Sequence, residues 1–167
     1  LPFLIRWMPS VVTTSDAGTG IGYTGIRVRG SDATRVNVTI NGVAYNDAES
    51  HSTYWVNLPD FASSVSSLQL QRGLGTSTQG PGAFGASLNL STTSTQADAY
   101  AVLQASAGSC ATLRNNMSFG TGLIKDHWSL QGRLSRIVSD GYIDRASARL
   151  NAYFLQGGYQ DENTRVQ

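Results

Sequence analysis

The sequence predicts two successive folds: an α+β segment of short strands and short helices, then antiparallel strands patterned like those of a transmembrane β-barrel. Three observations carry this. A glycine-rich loop joins two alternating strands within residues 69–90. Ahead of it, a strand runs into Asn41-Gly42, a two-residue hairpin signal. Beyond residue 98, four runs alternate with period 2 between polar connections.

Composition agrees. Only 14% of the 167 residues are charged, against about 25% in soluble domains, and the 18 glycines exceed the ~7% average, which favours turns and strands over helices. A net charge of +1 without any run of Lys or Arg makes nucleic acid an unexpected partner. The single cysteine, Cys110, leaves no disulfide or zinc framework and reads as a small residue near a strand end. No apolar run reaches the ~18 residues of a transmembrane helix, which excludes a helical membrane protein and leaves a barrel open. The opening Leu-Pro-Phe-Leu-Ile-Arg-Trp has no initiator Met or signal and reads as mid-protein, so a fragment is expected.

Taken in order, residues 1–12 hold an apolar cluster of Leu4, Ile5, Trp7 and Met8 closed by Pro9, and one short helical turn is expected there. Residues 13–25, rich in Gly, Ser and Thr, read as a loop. Ile26-Arg27-Val28-Arg29-Gly30 is a short strand ending in a turn. Asn37-Val38-Thr39-Ile40 enters the Asn41-Gly42 hairpin, with Val43, Ala44 and Tyr45 as the return arm. Residues 46–57 are polar and aromatic without a period and read as a long loop. A short helix is expected from Pro59 or Asp60, with Phe61 and Val65 on one face.

The run Ser67-Leu68-Gln69-Leu70-Gln71-Arg72 alternates and stops at Gly73; after the uncharged glycine loop, Ala86-Ser87-Leu88-Asn89-Leu90 alternates again. Residues 91–98 form a polar Ser/Thr tract, and the domain boundary is placed there, between 1–92 and 98–167. Past it, Met117, Phe119, Thr121 and Leu123 alternate with Asn116, Ser118, Gly120 and Gly122. Trp128, Leu130, Gly132 and Leu134 alternate with Ser129, Gln131, Arg133 and Ser135, and Ala148, Leu150, Ala152 and Phe154 with Arg149, Asn151 and Tyr153. A weaker run at 100–107 makes four. A tight turn around Lys125-Asp126 and a longer loop at 137–147, containing Asp140-Gly141, match the short and long connections that alternate in outer-membrane barrels.

Catalytic signals are poor. Gly80-Pro81-Gly82-Ala83-Phe84-Gly85 matches G-x-G-x-x-G, but a strand follows where a dinucleotide site needs a helix, and no acidic residue lies ~20 positions on. No cofactor is expected. Gly85-Ala86-Ser87 lacks the second glycine of a nucleophile elbow, His51 and His127 sit in unrelated contexts, and no Gly-Lys-Ser/Thr phosphate loop occurs, so no enzyme is expected. Asp47, Glu49 and His51 share a face only if extended; solvated side chains in a polar loop are the plainer reading, and no metal site is expected. Arg27, Arg29, Arg35 and Arg72 invite an anion-site reading.

The strand ending in Arg72-Gly73, the glycine loop, Gly82-Ala83-Phe84-Gly85-Ala86 and Leu88-Asn89-Leu90 together resemble the end of the plug domain of TonB-dependent outer-membrane receptors. The Arg29-Gly30 strand and the Asn41-Gly42 hairpin agree with that family. The resemblance covers nearly the whole chain: residues 1–92 resemble an α+β plug, a small mixed β-sheet with short helices. Residues 98–167 resemble the first four strands of an antiparallel transmembrane β-barrel, a partial barrel where the whole has ~22 strands. It implies active uptake of a scarce nutrient, an iron-siderophore, cobalamin or similar, across the bacterial outer membrane. The plug would be the gate, and the TonB complex would act through an N-terminal segment not seen here.

As partners, the resemblance implies outer-membrane lipid and a nutrient or metal-chelate ligand. It makes Asp47, Glu49, His51, Tyr54 and Trp55 ligand-contact candidates at the plug apex, with packing against the barrel wall as the alternative for Tyr54 and Trp55. It makes Arg29 and Arg72 candidates to pair with barrel-wall carboxylates. The competing reading is a soluble β-rich binding or adhesion domain, because alternation alone does not distinguish a lipid-facing surface from a core face.

Overall fold

The computed structural model describes residues 1–74, 83–94, 96–161 and 163–166. It divides into one unit of Leu1–Thr93 with Gly141–Ala146 and another of Ser94–Asp140 with Ser147–Gln167.

The first unit opens with one 3-10 turn, Pro2–Leu4, ahead of Pro9 as expected. β1 (Val11–Ser15) then pairs antiparallel with β2 (Thr24–Val28). Residues 13–15, expected as loop, are therefore strand. Only Val11 of β1 is buried, so no apolar alternation marks it; β2 holds it in place from Ile26 and Val28, both buried.

A second sheet follows in the order β4-β3-β6-β5, from β3 (Val36–Ile40), β4 (Val43–Ala44), β5 (Val65–Arg72) and β6 (Ala86–Thr92). β3 and β6 run parallel, with Val36 opposite Ala86 and Ile40 opposite Leu90, while the outer pairs are antiparallel. The sheet is thus mixed. Lying between two neighbours, β6 buries Ala86, Ser87, Leu88 and Leu90 on both faces. Val36 and Val38 share this core, and Ile5, Trp55 and Phe61 are also buried.

The hairpin tip matches its residues: Asn41 and Gly42 take φ of 52° and 83°, the left-handed pair that Asn-Gly tolerates. Asn41 also ties the tip to the end of β6. Its amide donates to Thr92 Oγ1 at 2.9 Å, and its Oδ1 accepts the Thr92 N–H at 2.9 Å. In place of the helix expected from residue 59 there is a single 3-10 turn, Phe61–Ser64, and Val65 already belongs to β5. Asp60, at φ 53°, breaks the backbone just before it. The glycine loop at 75–82, with the first half of the G-x-G-x-x-G motif, lies outside the described residues. At its far end the Gly85 N–H donates to Arg35 O at 2.9 Å. A Cβ at Gly85 would fall 2.5 Å from Ser31 Cβ, so the approach requires glycine.

The second unit is an antiparallel meander of β7 (Tyr100–Gly108), β8 (Thr112–Gly120), β9 (Trp128–Ser139), β10 (Ala148–Gln160) and the two-residue β11 (Arg165–Val166). Directly paired residues of an antiparallel ladder share a face. The register therefore lays Leu103, Met117, Leu134 and Tyr153 in one row, and Ala101, Phe119, Gly132 and Leu155 in the next. This apolar face is the exposed one: Leu103 is 80% accessible, Tyr153 85% and Leu155 65%. On the other face Asn116, Gln131, Arg133 and Ser135 are buried. The polarity is the inverse of a sheet folding on a core in water.

Three expectations are corrected here. β8 starts at Thr112, directly after a tight turn at 109–111 with Cys110 and Ala111 at φ 57° and 49°, and stops at Gly120, ahead of Thr121 and Leu123, where Gly122 takes φ 69°. The connections run over 109–111, 121–127 and 140–147, so short and long do not alternate. In β10, register puts Leu150 and Phe154 on the face of Ile137 and Arg133, while Tyr153 and Leu155 join the exposed apolar face.

Glycine is required at one place on that face. The Phe119 ring lies over Gly132, where a Cβ would sit 2.6 Å from Phe119 Cζ. Gly132→Val displaces that ring and is expected to destabilise the folded, detergent-solubilised protein by about 1–3 kcal/mol in chemical denaturation.

Candidate functional site

β4 is only two residues long, so the edge of β3 soon runs out of backbone partners. Asn46 takes over. Its Oδ1 accepts the Val38 N–H at 2.7 Å, and its Nδ2 donates to Val36 O and His51 O, each at 2.9 Å. One side chain thereby extends the ladder and anchors the following loop.

Asp47 closes that loop. Its Oδ1 accepts the Ser50 N–H at 2.7 Å, the Ser50 hydroxyl at 2.8 Å and the Glu49 N–H at 3.2 Å. The His51 N–H returns to Asp47 O at 2.9 Å, with His51 at φ 56°. The bonds from Ser50, backbone first, hold the Asp47 carboxyl below the usual carboxylate range, with smaller contributions from the Glu49 N–H and the His51 charge. A depressed carboxylate contributes order that is present above its unfolded value of about 3.9 and is lost as pH falls through the lower folded value. The Ser50 amide resonance is therefore expected to titrate with a midpoint below that of a free aspartate, and Asp47→Asn is expected to abolish the titration; a midpoint at or above the free value contradicts the loop geometry.

Asp47 and His51 line a concave site of about 800 Å³ together with Thr34, Arg35, Asn37 and Phe84. Glu49 and Tyr54 are not among its lining residues, and Tyr54 is 48% exposed. Trp55 is only 6% exposed and lies in the 3-10 turn Trp55–Asn57, next to β2 in the core of its own unit. Thr34, Arg35, Asn37 and Asn46 were not singled out as contact residues. An Asn directly after a hairpin's return arm is the one local signal for Asn46. Among the described residues no group of three or more His, Cys, Asp or Glu is placed to hold a metal ion.

Arg72 Nη1 donates to Pro9 O at 3.1 Å, and Arg29 Nη1 lies 3.4 Å from where a Cβ on the adjacent Gly73 would be. Among the described residues neither pairs with a carboxylate.

A family model described as TonB-dependent Receptor Plug Domain matches residues 3–87. No curated protein matches the chain in sequence. Solved structures do match in fold. The ferric yersiniabactin uptake receptor FyuA from Yersinia pestis aligns at TM-score 0.71 and 17% identity, covering 96% of this chain and 26% of that one. The siderophore receptor PirA from Acinetobacter baumannii aligns at 0.72 and 18%, covering 97% and 27%. Pseudomonas aeruginosa FpvA bound to a pyoverdine aligns at 0.79 and 16%, covering 98% and 21%. The chain thus spans about a quarter of the length of these receptors.

Proposed function

Because the chain belongs to the TonB-dependent receptor plug-domain family, a family of the bacterial outer membrane, we propose that it gates and begins the wall of a transporter for a scarce nutrient. The observation that carries this reading is an antiparallel sheet, directly after the plug-family segment, that turns apolar residues outward and buries polar ones. Water does not stabilise such a face; the hydrocarbon of a membrane does. Residues 1–92 serve as the plug and 98–167 as barrel strands, the sheet continuing from its open β7 edge into further strands.

The ligand is a metal chelate such as a ferric siderophore, or cobalamin, in keeping with the siderophore receptors that share this fold. Asp47, Glu49, His51 and Tyr54 meet it at the plug apex, and Trp55 supports their loop from within the core. Arg29 and Arg72 pair with carboxylates of the barrel wall, a hydrated contact that rearranges more readily than a dry core. Ligand binding favours a plug state that the TonB complex can engage, which requires different ligand affinity in the two states. No covalent chemistry is involved.

The test is uptake by cells carrying the full-length receptor, over a panel of labelled ferric siderophores and cobalamin, with and without the coupling complex. Accumulation of one ligand that needs the complex and falls with Asp47→Ala and His51→Ala supports the proposal. No coupled accumulation of any ligand contradicts it, and unchanged plug retention and transport in Arg72→Ala removes the ion-pair role.

A further inference from the structure

The connection between β9 and β10 is divided between the two units. Its base is fixed in the second, where Ser139 pairs with Ala148 and the Asp140 N–H donates to Cys110 O at 2.9 Å. Its tip, Gly141–Ala146, folds with the first. There the Tyr142 N–H donates to Ala17 O at 2.9 Å, and Tyr142 Cβ lies 3.0 Å from where a Cβ on Gly18 would be. Gly18 sits at φ 74°, so the close approach and the backbone both call for glycine.

The tip has a shape of its own. The Ala146 N–H donates to Ile143 O at 3.1 Å, Gly141 and Arg145 take φ of 78° and 66°, and a Cβ at Gly141 would collide with Ala146 O. The turn that it holds is just as fixed. Ser15 accepts the Gly18 N–H on its backbone oxygen at 3.2 Å and the Gly20 N–H on its hydroxyl at 3.0 Å, and Gly20 lies against the Phe3 ring. The join between these two pieces is slight by comparison: Tyr142 is 79% exposed and Ile143 52%, so little apolar burial backs the hydrogen bond from Tyr142 to Ala17.

Resting on the transporter reading, in which ligand binding shifts the plug between two states, the geometry points to a latch: the Gly141–Ala146 tip holds the 16–20 turn in the resting plug and lets go when the plug changes state. A strap whose base is fixed in the long β9–β10 ladder, and whose tip is tied to the unit that moves, either stretches or parts, and the weakest join parts first. That join is Tyr142 on Ala17 and Gly18. Both ends of it are positioning residues, since neither Tyr142 nor Gly18 lines the concave site at Asp47 and His51. Fixing the join therefore blocks the change of state and leaves ligand binding alone.

The experiment is a reversible lock in the full-length receptor. Gly18→Cys with Tyr142→Cys, in a Cys110→Ser background, brings two Cβ atoms within reach of the ~3.5–4.5 Å that a disulfide spans. Cells receive a labelled ferric tris-catecholate, a ferric tris-hydroxamate and cobalamin, and binding and uptake are measured after oxidation with copper–phenanthroline and again after reduction. The oxidised receptor is expected to bind the same ligand as the unmodified one, to lose uptake, and to regain it on reduction. Tyr142→Gly, which loosens the tip without locking it, is expected to keep uptake. Uptake unchanged by the lock overturns the latch, and so does failure of the two cysteines to join in a receptor that folds and binds. Loss of uptake in Tyr142→Gly overturns it too, because the tip is then a brace. If Gly18→Cys prevents folding, hydrogen exchange at the Tyr142 amide of the unmodified receptor in nanodiscs carries the test: the periplasmic domain of the coupling protein is expected to speed it, and an unchanged rate overturns the latch. An unmodified receptor that takes up none of the three ligands contradicts the transporter reading, and the latch with it.

Discussion

Leu155→Arg will lower the stability of the membrane-inserted receptor by about 2–4 kcal/mol, the penalty for a cation near the bilayer midplane on a barrel's lipid face. Leu155 is 65% exposed and pairs with Gly132 in the row of Ala101 and Phe119, midway between the Trp128–Tyr159 pair and Arg136. Gln104→Arg is the matched control. Gln104 pairs with Asn116 on the opposite face, so the same charge there is expected to change stability by less than about 1 kcal/mol. Folding titrations in lipid vesicles measure both. In water the ranking has no reason to appear, since an exposed Leu replaced by Arg is close to neutral.

Leu88→Ala is expected to destabilise the first unit by about 2–5 kcal/mol, through lost burial and the cavity left behind. Leu88 is fully buried in β6, opposite Val38 on one side and Leu70 on the other, so every strand of that sheet but β4 touches its site. Val43→Ala, at a position 71% exposed on β4, should stay within about 0.5 kcal/mol. Limited proteolysis of the receptor reads the difference: Leu88→Ala opens the first unit to cleavage and Val43→Ala does not. Equal sensitivity of the two variants would mean that β6 is not the centre of the sheet.

Legibility followed how local each determinant was. The Asn41-Gly42 hairpin could be read because its turn demands two left-handed residues and the chain supplies them. The β5 and β6 strands could be read because alternation frames the glycine loop. β1 could not, since Thr13, Thr14 and Ser15 carry no apolar signal and are held by β2. The helix expected at Pro59 rested on the spacing of Phe61 and Val65, which a 3-10 turn leading into a strand satisfies equally. In β10 both candidate faces are apolar, Leu150 and Phe154 against Tyr153 and Leu155, and only the register with β9 decides between them.

The site shows the same division. Asp47 and His51 stand out in a polar loop and do line the concave site. Thr34, Arg35 and Asn37 reach it from the other side of the Asn41-Gly42 hairpin, and Asn46 matters because β4 stops early, a fact of pairing with no residue signature.

The central claim is that the exposed apolar face of the second unit faces lipid. Its most direct test is collision of nitroxide spin labels placed singly at residues 101 to 106 of the full-length receptor in bilayers with oxygen and with a water-soluble nickel chelate. The account predicts period-2 alternation, with labels at 101, 103 and 105 favouring oxygen and those at 102, 104 and 106 not. Uniform access along β7, or oxygen preference at the even positions, would contradict it.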